Sequence, residues 1–120
     1  MEVETAAAPL GVGPLASFER EVQMAFYITL ASFTDQGARS AKDSPKRAEA
    51  FKALAAKNGM KVHSLYWTLG AYDVVATIEA EDDLAATALS LSVASLGNVR
   101  TQTMRAFDAS EMGKIIGKMA

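Results

Sequence analysis

An α+β domain made of two β-α-β units joined by a tight turn and followed by one more helix is what this 120-residue sequence predicts. Three features carry the prediction. Four runs rich in β-branched and aromatic residues alternate with helical patterns. A Gly-Ala pair separates the two middle runs. Both interior helical patterns begin with residues suited to a helix start and end on an Asn/Gly terminator.

The elements follow in order. The opening stretch, MEVETAAAPLGVGPLASFEREVQ, is rich in alanine, glycine and proline, and periodic structure begins only after Met24. Residues 1–23 are therefore expected to form a flexible N-terminal arm, and residues 24–120 the domain. Glu2 and Glu4 stand where a secretory signal carries lysine or arginine, so export is not expected. Read back into codons, EREVQM permits a purine-rich ribosome-binding sequence shortly before an ATG for Met24. Initiation at Met24 thus stands beside a genuine tail as an account of the arm.

AFYITLASF, after Met24, reads as the first strand. The segment from Thr34 to Gly59 reads as helix in two pieces, because Pro45 suits a first helical turn and Asp43 or Ser44 can cap it. Ala48, Phe51, Leu54 and Ala55 form its core stripe, and Asn58-Gly59 ends it. MKVHSLYWTL and YDVVATIEA read as a hairpin about Gly70-Ala71, with glycine where a type II′ turn needs it. EDDLAATALSLSVASLGN is a helix with an acidic first turn and a Gly97-Asn98 stop. Its leucines and Val93 surround much of the cylinder, which predicts burial by more than one neighbour. NVRTQTMRAF is the fourth strand. In the closing DASEMGKIIGKM, Asp108 and Glu111 have capping-box spacing, and Met112, Ile115, Ile116 and Met119 make a clean apolar stripe. That stripe suits core or a subunit contact better than a membrane anchor. The β-α-β-β-α-β order is the ferredoxin-like pattern.

Bulk properties narrow the function classes. Half the residues are apolar, and 12 basic against 14 acidic side chains give a net charge of −2 with no basic stripe, so nucleic acid is not an expected partner. Without cysteine the chain has no disulfide, thiolate zinc site or cysteine nucleophile, which suits a cytoplasmic location. His63 is the only histidine. The longest uncharged stretch, Leu84 to Val99, falls short of a membrane span, so no membrane partner is expected. No carboxylate pair, metal spacing or phosphate loop is present, and no cofactor is expected. Gly113 and Gly117 have GxxxG spacing, which in such a helix merely permits close packing.

A two-residue turn sets the hairpin register, with Trp67 opposite Val74, Tyr66 opposite Val75, Ser64 opposite Thr77 and His63 opposite Ile78. Alternation then assigns His63, Leu65, Trp67, Leu69, Tyr72, Val74, Ala76 and Ile78 to the helix-covered face. Val62, Ser64, Tyr66, Thr68, Asp73, Val75 and Thr77 fall on the other. In the first strand the more apolar Phe26, Ile28 and Leu30 belong with the helices, leaving Tyr27, Thr29 and Ala31 on the second face, where Thr101 and Thr103 can join them. A broad face of tyrosine, valine and threonine is costly to leave in water, so a second copy packing sheet to sheet is expected, giving a dimeric α/β barrel.

The expected ligand-binding residues are Tyr27, Thr29, Tyr66, Thr68 and Asp73, lining a small polar cavity at that interface. Each has a plainer explanation. Asp73 is either a buried carboxylate acting as base or anchor, or an acid bonded to Thr68 or hairpin amides. Tyr27 and Tyr66 can hold a flat ligand or simply pack. His63 is either a proton shuttle or a residue of the rim.

Gly70, Tyr72 and Asp73, together with SPKRAEAFKALA, YWTLGAYD and SLGNVRTQTMRAF, carry a family likeness. From about Met24 onward the chain resembles the GYD domain family of small bacterial and archaeal proteins. That resemblance implies a ferredoxin-like, dimeric α/β-barrel domain and brings no catalytic role with it. The function expected is a homo-oligomeric module that binds a small molecule or regulates a protein partner. Two alternatives remain: a cofactor-independent monooxygenase- or isomerase-like enzyme in which Tyr66, Asp73 or His63 handles a proton, and an interaction subunit of a larger assembly.

Overall fold

The computed structural model describes residues 23–120, so the arm expected over residues 1–23 lies outside the described residues apart from Gln23. The elements are β1 (Ala25–Phe33), α1 (Asp35–Arg39), a 3-10 turn (Ala41–Asp43), α2 (Ser44–Lys57), β2 (Lys61–Trp67), β3 (Val74–Ala80), α3 (Asp83–Ala94), β4 (Val99–Ala106) and α4 (Ala109–Gly117). The strands form one antiparallel sheet in the order β2-β3-β1-β4, the ferredoxin-like arrangement.

Local chemistry explains the boundaries. Thr34 caps α1 by accepting from the Gly37 N–H at 3.1 Å, and its hydroxyl donates to the Gly97 carbonyl at 2.6 Å, tying the end of β1 to the entry of β4. Gly37 sits so close to this crossing that a Cβ there would lie 1.9 Å from the Asn98 carbonyl oxygen. Pro45 occupies the first turn of α2; Asp43 holds the N-cap position without a side-chain cap bond, while the neighbouring Ser44 hydroxyl accepts from the Trp67 indole at 2.8 Å. Asp82 caps α3 by accepting from the Ala85 N–H at 2.9 Å.

The helix-covered face holds Tyr27, Thr29 and Ala31 of β1, all buried, and leaves Phe26, Ile28 and Leu30 on the opposite face. This reverses the assignment expected from apolarity. The cause lies in the facing layer, where Ala55 of α2 and Ala86 of α3 join Ala76 and Ala80 of β3 in one buried cluster. Tyr27 fills the room these small residues leave beside Ala80 and Ala86, while Phe26, Ile28 and Leu30 point away. Thr101 and Thr103 of β4 likewise lie on the helix side: Thr101 lines a cavity there and Thr103 bonds Thr29.

The hairpin register holds at Trp67↔Val74, Tyr66↔Val75 and Ser64↔Thr77, and then slips. A bulge between Val62 and Ser64 puts Val62, not His63, opposite Ile78. Val62 therefore packs on the core, while His63 turns to the other face, its ring centroid 5.3 Å from that of Phe26 and its Nε2 2.7 Å from Glu79 Oε1. The connection at Gly70 is also wider than two residues, since β2 ends at Trp67 and β3 begins at Val74. Thr68 N–H donates to the Asp73 carbonyl at 2.9 Å, and Gly70 takes a φ of 132°, which suits glycine. Leu69 is fully exposed and the Tyr72 hydroxyl donates to Gln102 Oε1 at 3.0 Å on the open face, so neither joins the core as expected. Nor does α3 bury its whole circumference: Leu89 is buried, whereas Leu84, Leu91 and Leu96 (just past its end) are exposed.

Candidate functional site

The five residues expected to share one ligand-facing surface are divided by the sheet. Tyr27 and Thr29 lie under the helices, whereas Tyr66 projects from the open face, 67% exposed. Thr68 uses its hydroxyl to donate to the Tyr72 carbonyl at 2.7 Å. Asp73 stitches the sheet: its N–H donates to the Ala31 carbonyl at 2.8 Å, and its Oδ2 accepts from the Phe33 N–H at 2.8 Å. The β1–β3 ladder has its last paired residues at Ala31 and Val74, and the Asp73 carboxylate continues it by one bond. His63 stands at the other end of the hairpin, beside Glu79, six residues or about 20 Å of strand from Asp73. His63 and Asp73 are therefore not part of one catalytic constellation. Among the described residues no group of three or more His, Asp or Glu is placed to hold a metal ion.

Around Tyr27 a polar cluster joins the sheet to α4. The Tyr27 hydroxyl donates to Asp83 Oδ1 at 2.6 Å, and burial, with that carboxylate adding to it, pushes the phenol up to about 12. The Arg105 guanidinium lies 5.7 Å from the Tyr27 ring and 4.4 Å from the Phe107 ring. It donates to Glu111 Oε2 at 3.2 Å and to the carbonyls of Phe26 and Ala106. Asp108 and Glu111 form a complete capping box, as their spacing predicts. The helix so anchored has no buried residue: Met112, Ile115, Ile116 and Met119 are 48%, 37%, 56% and 70% exposed. Arg105 and Phe107, which orient this helix, were not singled out from sequence; an arginine between strand and helix, next to an aromatic, was the available signal.

A cavity of about 560 Å³ opens between the sheet and the α2–α3 pair, with Phe33, Phe51, Leu65 and Trp67 among its apolar walls. It lies at the end of the sheet where β1 finishes and β4 begins, away from α4. Of the five expected ligand residues, Thr29 alone lines it. The remaining walls escaped the sequence reading because they come from six separate elements.

Residues 27–116, from β1 to α4, match the GYD domain family. A Thermus thermophilus protein described as a glutamine synthetase and cystathionine beta-lyase binding protein is 34% identical over 90 residues, 74% of this chain and 95% of that one.

Proposed function

Because this chain belongs to the GYD domain family, we propose that it is a homodimeric binding module whose C-terminal helix docks a partner protein. The observation that carries the reading is α4, a well-capped helix with no buried residue and with Met112, Ile115, Ile116 and Met119 in the open. Three such side chains along one helix face, with Met119 just past its end, are the pattern of helix recognition by another protein. The description of the Thermus relative points to the class of partner, an enzyme such as glutamine synthetase or cystathionine beta-lyase. No helix of the described residues is long and apolar enough to cross a membrane, so bilayer spanning does not explain the stripe.

The other face of the sheet supports the second copy. Phe26, Ile28 and Leu30 of the central strand, with Val75, Tyr66 and Met104 beside them, form an apolar surface that a twofold-related sheet covers. The cysteine-free composition suits work beside such enzymes in the cytoplasm.

Binding is measured between the purified chain and the glutamine synthetase and cystathionine beta-lyase of its own organism. Met112→Glu and Ile116→Glu should each weaken capture about tenfold or more, because each puts a charge into an apolar contact. Both sites are already largely exposed, so the thermal melt should stay unchanged. Wild-type affinity in both variants, or no binding to either enzyme, overturns the reading.

A further inference from the structure

We propose that the cavity between the sheet and helices α2 and α3 binds an amphiphilic anion, a molecule with an apolar body, one acidic group at the mouth and one hydrogen-bond donor further in. The volume of about 560 Å³ falls within the roughly 300–1,000 Å³ of small-molecule sites. Its walls are almost wholly apolar, with the rings of Phe33, Phe51 and Trp67 suited to a flat or chain-like body.

The polar groups that interrupt this wall give the ligand its ends. Among the described residues Arg47 is the only formally charged one lining the cavity. Its guanidinium donates to the Ser40 carbonyl and hydroxyl at 2.9 and 3.2 Å and to the Gly37 carbonyl at 3.4 Å. Those three bonds fix the group in place, and a guanidinium has five N–H donors. Two remain without a partner among the described residues, and free guanidinium donors suit a carboxylate or sulfonate.

The inner end is set by a chain of hydroxyls whose direction follows from one assignment, the Ser90 hydrogen placed on the Ala86 carbonyl rather than on Thr103. Ser90 spends its one hydrogen on the Ala86 carbonyl at 3.1 Å. With that assignment it accepts in its 2.8 Å contact with Thr103, and Thr103 donates. Thr103 has then no hydrogen left for Thr29, and in their 3.1 Å contact Thr29 donates. The Thr29 oxygen, buried on the cavity wall, is left with lone pairs and no donor among the described residues. It calls for a ligand hydroxyl or N–H.

Trp67 is the only tryptophan of the chain and lines the cavity, so its emission reports occupancy. The full chain is titrated with anilinonaphthalene sulfonate and, in parallel, with phenylnaphthylamine, which keeps the rings and the N–H but lacks the acid. Saturable binding of one probe per chain is expected, with the sulfonate about tenfold or more the tighter. Arg47→Gln should remove that advantage and leave phenylnaphthylamine unchanged. Thr29→Val should weaken both probes roughly threefold or more, since both carry the N–H. Equal affinities of the two probes for the wild type, or Arg47→Gln weakening both alike, overturns the proposal; the wild-type comparison decides by itself if the Arg47 variant fails to fold. Ile116→Glu should leave probe binding intact, and loss of binding there would place the probe on α4 and also overturn it. The cavity site does not depend on docking at α4, so the two readings fail separately.

Discussion

Removing the Asp73 carboxylate tests whether this residue is a structural stitch. In Asp73→Ala the Phe33 N–H loses its acceptor, at a part-buried point where the β1–β3 ladder has no further backbone bond to offer. A hydrogen bond to a charged group contributes about 1.5–3 kcal/mol, and partial burial places this one near 2 kcal/mol. For a domain of this size that lowers the melting temperature by roughly 8–16 °C. Asp73→Asn keeps an oxygen that accepts the same N–H without the charge, so its loss should be about half as large. Thermal unfolding followed by circular dichroism should rank the proteins as wild type, then Asn, then Ala. An Ala variant that melts within about 3 °C of wild type refutes the stitch, because that shift amounts to less than 1 kcal/mol. An Asn variant with wild-type stability that has lost a bound ligand would instead assign the carboxylate to binding.

Three further outcomes follow from contacts elsewhere in the fold. The Tyr27 phenol is raised from 10.0 to about 12 on folding, so its contribution to stability is fully present below pH 10 and is lost as pH rises from 10 to 12. Denaturant unfolding should show a decline of about 1–2 kcal/mol across that window, after allowing for solvent screening of the hydroxyl; Tyr27→Phe should remove this component. Gly37→Ala drives a Cβ to 1.9 Å from the Asn98 carbonyl oxygen and should cost about 1–3 kcal/mol or more by displacing the α1–β4 crossing. Gly113→Ala, with no atom within 4 Å of the new Cβ, should instead stabilise α4 by about 0.5–1 kcal/mol. Chemical denaturation of the two glycine variants checks both signs.

The element order, the hairpin register near its turn, the Pro45 helix start and the α4 capping box were all legible in the sequence. Each depends on residues within one or two turns or strands of one another. The likeness to the GYD family was legible for the same reason, being carried by short local segments. The facing of β1 was not legible. Phe26-Tyr27-Ile28-Thr29-Leu30-Ala31 offers a plausible apolar set on both sides, and the choice was made by alanines of α2, α3 and β3 that lie far away in sequence. The bulge at His63 escaped notice because a one-residue insertion in a ladder leaves no mark in the composition of its strand.

The candidate sites divide along the same line. Apolar spacing at Met112, Ile115, Ile116 and Met119 determined by itself that α4 would be amphipathic, because helical periodicity is a local property. Only the tertiary structure decided that this stripe stays in the open, since that depends on where Arg105, Phe107 and Glu111 hold the helix. Likewise the sequence by itself determined an α+β chain with four strands and one sheet face free of helices. Which residues occupy that face, and the cavity walled by Thr29, Arg47, Trp67 and Ser90, were decided by packing between distant elements. Side-chain volume across the helix–sheet layer has no counterpart in the order of residues along the chain.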